Sequence, residues 1–220
     1  MRTEHESIQP DHEARWEAIY RGGAQLNLYP HDQVVSWFGA RFPDADSRAG
    51  LRVLDLGCGA GNNLWFLARA GFSCSGIDVS PAAVDFARER LRREGLEAQL
   101  EVGSFASLPF GSAGFDIVLD RGGLAAVDLA TASRALAEAG RVLRPGGTLL
   151  FTPFGEGTRI EGAKGRLIGH LWSRTDVERA LPPDSWRVAR WLRVEKRDEF
   201  GAGDVRIEWW IEAERTGEVA

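Results

Sequence analysis

The chain has 220 residues, 44% of them apolar and 27% charged, with a formal net charge of −5 and a pI near 5.5. That length suits one α/β core with too little left over for an independent second domain. The acidic balance speaks against a nucleic-acid partner, and the lack of a long apolar run speaks against a signal peptide or a membrane partner. The expectation is a cytoplasmic protein whose oligomeric state the sequence does not reveal.

Met1 to Trp16 is polar and mixed in charge, which reads as a solvated tail holding His5 and His12. Trp16 and Tyr20 follow one helical turn apart, so they can share a face. Leu51–Leu56 is a short β-like run ending in glycines. Asn62–Ala70 is helical in pattern and closed by Gly71. Phe72–Val79 reads as a second strand, and Ser80-Pro81 as an N-cap with proline at the first helical position, opening a helix that runs to about Glu94. Leu100–Gly103 and Phe115–Asp120 read as the third and fourth strands. Thr131–Leu143 is helical, Arg144-Pro145-Gly146-Gly147 a turn, and Thr148–Thr152 a fifth strand. Short strands separated by amphipathic helices imply right-handed crossovers and a parallel sheet.

The ending differs. Ser173–Leu181 reads as a helix with a capping box, Ser173-x-x-Asp176. Trp186–Lys196 and Val205–Ala213 then follow with no helix between them. Alternation puts Trp186, Val188, Leu192 and Val194 on one face, and Val205, Ile207, Trp209 and Ile211 on one face of the other strand. Joined through Phe200-Gly201-Ala202-Gly203, the two predict an antiparallel hairpin at one end of the sheet. The glycine-rich stretch 155–169 reads as a mobile loop. Cys58 and Cys74 have neither CxxC nor histidine-containing spacing, so they read as free thiols, and no metal site is expected.

The strongest motif is Val53-Leu54-Asp55-Leu56-Gly57-Cys58-Gly59-Ala60-Gly61. Glycines after a strand let the backbone pass close to a ligand, and the helix behind offers free N–H groups. The dinucleotide spacing G-x-G-x-x-G fails, because its third glycine is Asn62 here. Asp55 would repel a pyrophosphate but suits a ligand bearing an ammonium group. Asp78, at the end of the second strand, is placed to accept both hydroxyls of a ribose; the same residue type is also common as a helix N-cap.

This Asp-x-Gly-x-Gly-x-Gly pattern resembles the first motif of class I S-adenosyl-methionine (SAM)-dependent methyltransferases, bacterial small-molecule enzymes in particular. The resemblance covers about residues 50–153. It implies a Rossmann-like three-layer fold whose mostly parallel seven-stranded sheet ends in the hairpin, with residues 1–45 as a helical lid and 154–220 on the substrate side. It implies SAM as cofactor and S-adenosyl-homocysteine (SAH) as product. The implied cofactor-binding set is Trp16, Tyr20, Asp55, Gly57, Cys58, Gly59, Asn62, Asp78, Val79, Ser104, Phe105 and Asp120. Many relatives have Asp where Ser104 stands, and Ser makes a weaker bond to an adenine.

Asp120-Arg121-Gly122-Gly123-Leu124 resembles a subgroup in which Asp-Arg-Gly-x-Leu recurs, often followed by Thr-His. Ala125-Ala126 stand there instead, so that histidine base is missing. Asp120 and His170 remain as catalytic candidates, and Arg121, His31 and Tyr29 as substrate-side candidates, with an internal ion pair the competing reading for Arg121. SAM carries the reactive methyl itself, so proximity and orientation suffice for a small-molecule acceptor. A non-catalytic SAM-binding module stays open. An NAD(P)-dependent oxidoreductase is disfavoured by Asp55 and the missing glycine, and aminopropyl transfer is not clearly favoured.

Overall fold

A computed structural model describes residues 9–161, 168–198 and 203–217. His5, the middle of the 155–169 loop and most of the expected hairpin turn (residues 200–202) lie outside the described residues. Three helices come first: α1 (Gln9–Arg21), α2 (Asp32–Arg41) and the short α3 (Ala45–Arg48). Then follow β1 (Arg52–Leu56), α4 (Asn62–Arg69), β2 (Ser73–Asp78), α5 (Pro81–Arg93), β3 (Gln99–Val102) and β4 (Phe115–Asp120). After a single 3-10 turn at Leu124–Ala126 come α6 (Leu129–Val142), β5 (Leu143–Phe151), α7 (Arg174–Ala180), β6 (Trp186–Arg197) and β7 (Val205–Arg215).

The seven strands form one sheet in the order β3-β2-β1-β4-β5-β7-β6. β1 to β5 run parallel, and β7 lies antiparallel between β5 and β6. The sequence-based expectation of a Rossmann-like, mostly parallel sheet ending in an antiparallel hairpin therefore holds. The crossing order of the hairpin was not legible: its second strand sits inside the sheet and its first forms the edge. Because β7 runs against its neighbour β5, its first residues lie at the carboxyl edge of the parallel strands, where ligands bind in such sheets.

Both faces of the sheet are covered. Leu54, Val118, Leu149 and Ile211 pack under α6 with Ala132, Ala135 and Leu136. Val53, Ile117, Leu150 and Trp210 pack on the other face under α2 and α4 with Val34, Phe38 and Leu64. Local signals set the helix ends. The Ser80 hydroxyl accepts from Ala83 N at α5, and Asp128 from Thr131 N, which starts α6 two residues before the expected Thr131. At α7 the capping box between Ser173 and Asp176 forms in both directions.

Two strand expectations are corrected. Arg144 to Gly147 lie within β5, where the register with β4 jumps from Phe115↔Leu143 to Ile117↔Thr148, so the expected turn is a bulge inside the strand. In β6, Val188 pairs with Ala213 and Arg190 with Glu212, which leaves Ala189 as an extra residue. A single inserted residue inverts the alternation. Trp186 and Val188 therefore face α6, whereas Leu192 and Val194 lie opposite Trp210 and Glu208 on the other face. Trp191 takes the α6-side position instead and meets Trp209 with ring centroids 5.2 Å apart.

Glu212 ties α2 to the sheet: it accepts from Trp37 Nε1 at 3.1 Å and pairs with Arg41 at 2.9 Å. Glu212→Ala strands a buried indole N–H and should cost about 1–3 kcal/mol in urea unfolding. Glu214→Ala, which removes an exposed pair with Arg187, should cost under about 1 kcal/mol.

Candidate functional site

Beyond β1 the chain turns through Gly57, Gly59 and Gly61 at φ of +66°, +53° and +74°, angles that L side chains rarely adopt. Each glycine also answers to a separate neighbour. A Cβ on Gly57 would lie 3.0 Å from Gly123 Cα, one on Gly59 would collide with the Tyr20 hydroxyl, and one on Gly61 would lie 2.8 Å from Ala87 Cβ on α5. Gly61 is also the N-cap of α4 and supplies no side-chain acceptor.

The loop opens into a cavity of about 480 Å³ at the carboxyl edge of the sheet. One wall is Gly57, Cys58 and Gly59 with Asp78 and Val79 from the end of β2. Asp78 is 7% exposed; its carboxylate accepts from Gly59 N and from Ser80 N, each at 2.9 Å. Burial pushes its pKa up against those two N–H donors.

A second wall is one face of α1. His12, Trp16 and Tyr20 recur every four residues and all line the cavity. Trp16 Nε1 donates to His12 Nε2 at 3.0 Å, and the Trp16 and Tyr20 rings lie 6.0 Å apart. His12 is thus half-buried, with its pKa lowered by that burial, rather than solvated as its polar surroundings in the sequence predict. Glu17 fastens α1 to the start of α5, accepting from the Ser80 hydroxyl at 2.6 Å and from Ala82 N at 3.0 Å. These donors and Arg21 hold its carboxyl down at about 2.

The segment between α1 and α2 is pinned to α4. Asn62 donates to the Tyr29 carbonyl at 3.0 Å, and His31 N donates to Asn63 Oδ1 at 3.2 Å. Beneath the loop, out of the cavity, lie Asp55 (1% exposed) and Asp120 (fully buried). Asp55 bonds Asn63, and Asp120 Oδ1 accepts from Leu124 N at 2.9 Å. One carboxylate oxygen of each, Asp55 Oδ2 and Asp120 Oδ2, is buried with no partner among the described residues. Burial raises both, with Asp120 at about 6 and Asp55 pushed further by the charge of Asp120.

The far wall is built by Arg121 after β4, Arg206 and Glu208 on β7, and the apolar Phe154, Ile160 and Ile168. Arg121 pairs with Glu208 at 3.2 Å, and Lys196 reaches the same oxygen at 3.4 Å. His31 also lines this side; burial, and then the charge of Arg121, lower its pKa to about 4.

Of the candidates read from the sequence, Trp16, Tyr20, His31, Gly57, Cys58, Gly59, Asn62, Asp78, Val79, Phe105 and Arg121 converge on the cavity. Ser104 lines a small adjoining cleft with Val79 and Phe105. Asp55 and Asp120 stand behind the loop. Tyr29 is 78% exposed and does not line the cavity. His170 lies outside it as well, bonded to Asp176 at 3.1 Å and edge-on to Trp172. Sequence reasoning missed His12, Asn63, Arg206 and Glu208. The four-residue spacing of His12, Trp16 and Tyr20 carried a signal for the first. The ion pair across 87 residues between Arg121 and Glu208 had none.

A glycine loop between β1 and α4, an acid ending β2 and a 3-2-1-4-5-7-6 sheet together define a Rossmann-like nucleotide-binding domain. Residues 53–147 match the family model described as a methyltransferase domain. A glycine/sarcosine/dimethylglycine N-methyltransferase of Actinopolyspora halophila is 33% identical over 62% of this chain and 24% of that protein. A demethylmenaquinone methyltransferase of Tropheryma whipplei is 37% identical over 58% of this chain and 52% of that one. The chain thus spans from a quarter to about half the length of these curated relatives. The fold matches the crystal structure of geranyl diphosphate C-methyltransferase from Streptomyces coelicolor A3(2), which contains SAH. The TM-score is 0.71 at 17% identity, covering 96% of this chain and 100% of that one.

Residues 53–147 thus carry a methyltransferase domain, and the chain is similar to the class I SAM-dependent methyltransferases. Its own residues fit that family's cofactor. The glycines leave open the space that a Cβ would fill, and Asp78 presents a carboxylate suited to ribose hydroxyls at the end of β2. Among the described residues, no helix is long and apolar enough to cross a membrane.

Asp120→Asn keeps an acceptor for Leu124 N and removes a buried charge. The wild-type carboxyl, raised in the fold, costs stability as pH rises from its unfolded value toward about 6. The variant should therefore gain on the wild type across that window, by on the order of 1–3 kcal/mol, and hold the gain above it. Urea unfolding from pH 4 to 8 checks this; a gain independent of pH would contradict it.

Proposed function

We propose that the protein transfers a methyl group from SAM to a small-molecule acceptor. The observation that carries this reading is one shared cavity, about 480 Å³, lined at one end by the glycine loop and Asp78 and at the other by Arg121, His31 and Phe154. Bound SAM supplies a methyl group on a positively charged sulfur, which needs no further activation.

The chain's part is to bind, align and exclude water. Asp78 has acceptor capacity beyond its two amides and takes the ribose hydroxyls. Gly57, Cys58, Gly59 and Asn62 follow the methionine part with their backbone and amide groups, while Val79, Ser104 and Phe105 flank the base. Trp16 and Tyr20 cover this end, held down by the contact of Glu17 with α5. Asp120, raised to about 6, contributes negative potential from beneath the loop, which favours a cationic ligand. In this reading His170 is a structural partner of Asp176, and Tyr29 contributes a carbonyl to Asn62 instead of a ring to the acceptor.

Orientation of two bound reactants supplies on the order of 7–11 kcal/mol, enough that the acceptor's own nucleophile reacts without a covalent intermediate. Residues 1–45 act as lid, 50–153 as donor core and 154–220 as acceptor wall of a single unit. The net charge of −5 and two buried free thiols, Cys58 and Cys74, agree with a cytoplasmic enzyme of small molecules that does not bind nucleic acid.

Calorimetric titration with SAM, SAH and NADH tests the donor. SAM and SAH should bind and NADH should not. Asp78→Ala should weaken SAH by about 10- to 100-fold, the loss expected for hydrogen bonds to a charged group. Failure of SAM and SAH alike to bind the folded wild type would overturn the reading. In the same assay Gly59→Ala, which forces a Cβ against the Tyr20 hydroxyl at positive φ, should abolish SAH binding while the circular dichroism stays that of the wild type.

A further inference from the structure

The far wall holds more cationic charge than its own acid can satisfy. Among the described residues lining the cavity the acids are Asp78 and Glu208, and the permanent cations are Arg121 and Arg206. Asp78 belongs to the donor end, where it already accepts two backbone amides. That leaves Glu208 as the one lining carboxylate on the acceptor side. It is shared between Arg121 and Lys196, both on the same oxygen, at 3.2 and 3.4 Å. The Arg121 side chain is only 10% exposed and that of Glu208 5%. The Nε atoms of Arg121 and of Arg206 are both buried with no partner among the described residues.

A guanidinium removed from water is costly to leave partly unpaired, and its fork of donors matches a planar oxyanion. Each fork keeps one N–H that no described protein group satisfies, and both residues line the cavity, a combination that fits an anion as their partner. His31 reports the same field: burial and the neighbouring Arg121 charge lower its pKa to about 4, so it is neutral at physiological pH and adds no further cation. The remaining wall, Phe154, Ile160 and Ile168, is apolar.

We propose that the methyl acceptor carries an anionic oxygen group, a carboxylate or a phosphate, which seats against Arg121 and Arg206 while an apolar body lies along Phe154, Ile160 and Ile168. This deepens the methyl-transfer reading and rests on it for the word acceptor. Glu208 is then a positioning residue: it keeps Arg121 turned to the cavity and competes with the incoming anion for it. The placement follows from the sheet, since only an antiparallel β7 brings Arg206 and Glu208 to the carboxyl edge beside Arg121.

The test uses matched probes at constant ionic strength: phenylacetate, phenyl phosphate and the neutral phenylacetamide, titrated into the whole protein with and without SAH. The anions should bind at least tenfold more tightly than the amide, and whichever of the two binds better identifies the group. Arg206→Gln should weaken the better anion by about 10- to 100-fold, the range for a charge-assisted bond, and leave SAH affinity unchanged. Glu208→Gln removes the competing charge and should strengthen anion binding, a direction that general damage to the fold would not produce. Equal binding of anion and amide, no binding of either anion, or an Arg206→Gln variant that binds anions like the wild type would overturn the proposal. Loss of SAH binding alone would sink the donor reading, and the arm without SAH still decides the anion site.

Discussion

The backbones at Gly57 and Gly123 pass so close that neither position has room for a side chain, and the site is arranged around that passage. A Cβ on Gly123 would lie 2.9 Å from the Leu56 carbonyl and 3.3 Å from Gly57 Cα. The approach lets the ends of β1 and β4 close over Asp55 and Asp120, and it sends the two following loops apart. One runs to Gly59 and the start of α4, the other through Arg121 to the Leu124 turn. The cavity lies where these loops diverge, so both of its ends are set by the same contact.

Two buried carboxylates with unpartnered oxygens are an expensive foundation for a fold. Their raised pKa values reflect that cost. Asp55 thus lies under the loop, while Asp78, at the end of the neighbouring strand, presents its carboxylate to the cavity. Enclosure comes from elsewhere. α1 reaches the site with His12, Trp16 and Tyr20 on one face, but its hold depends on Glu17 accepting from Ser80 and Ala82, donors at the first turn of α5. α1 is therefore joined to α5 through one acidic side chain, and Tyr29 and His31 to α4 through Asn62 and Asn63.

On the opposite side, the charges are borne by a strand that is buried on both faces. Arg206, Glu208, Trp210 and Glu212 alternate with Val205, Ile207, Trp209 and Ile211. The deeper members, Trp210 and Glu212, pack or pair under α2. The first two emerge where the sheet ends and become part of the cavity wall. One strand thus anchors a helix with its end and offers chemistry with its start.

Composition, the strand-helix alternation and the Asp55-to-Gly61 motif determined the parallel core, the glycine loop and the position of Asp78, because local patterning sets the elements and β-α-β crossovers pack with one hand. Periodicity likewise put Trp16 and Tyr20 on one face, and by the same spacing would have added His12. Tertiary structure alone decided three things. Asp55 and Asp120 are withdrawn behind the loop because Gly57 and Gly123 close over them. Ala189, as an extra residue, turns Leu192 and Val194 away from the face of Trp186, since strand alternation counts residues and no residue type announces a bulge. Arg206 and Glu208 reach Arg121 only because β7 enters the sheet between β5 and β6, a pairing between distant segments that local propensity does not encode.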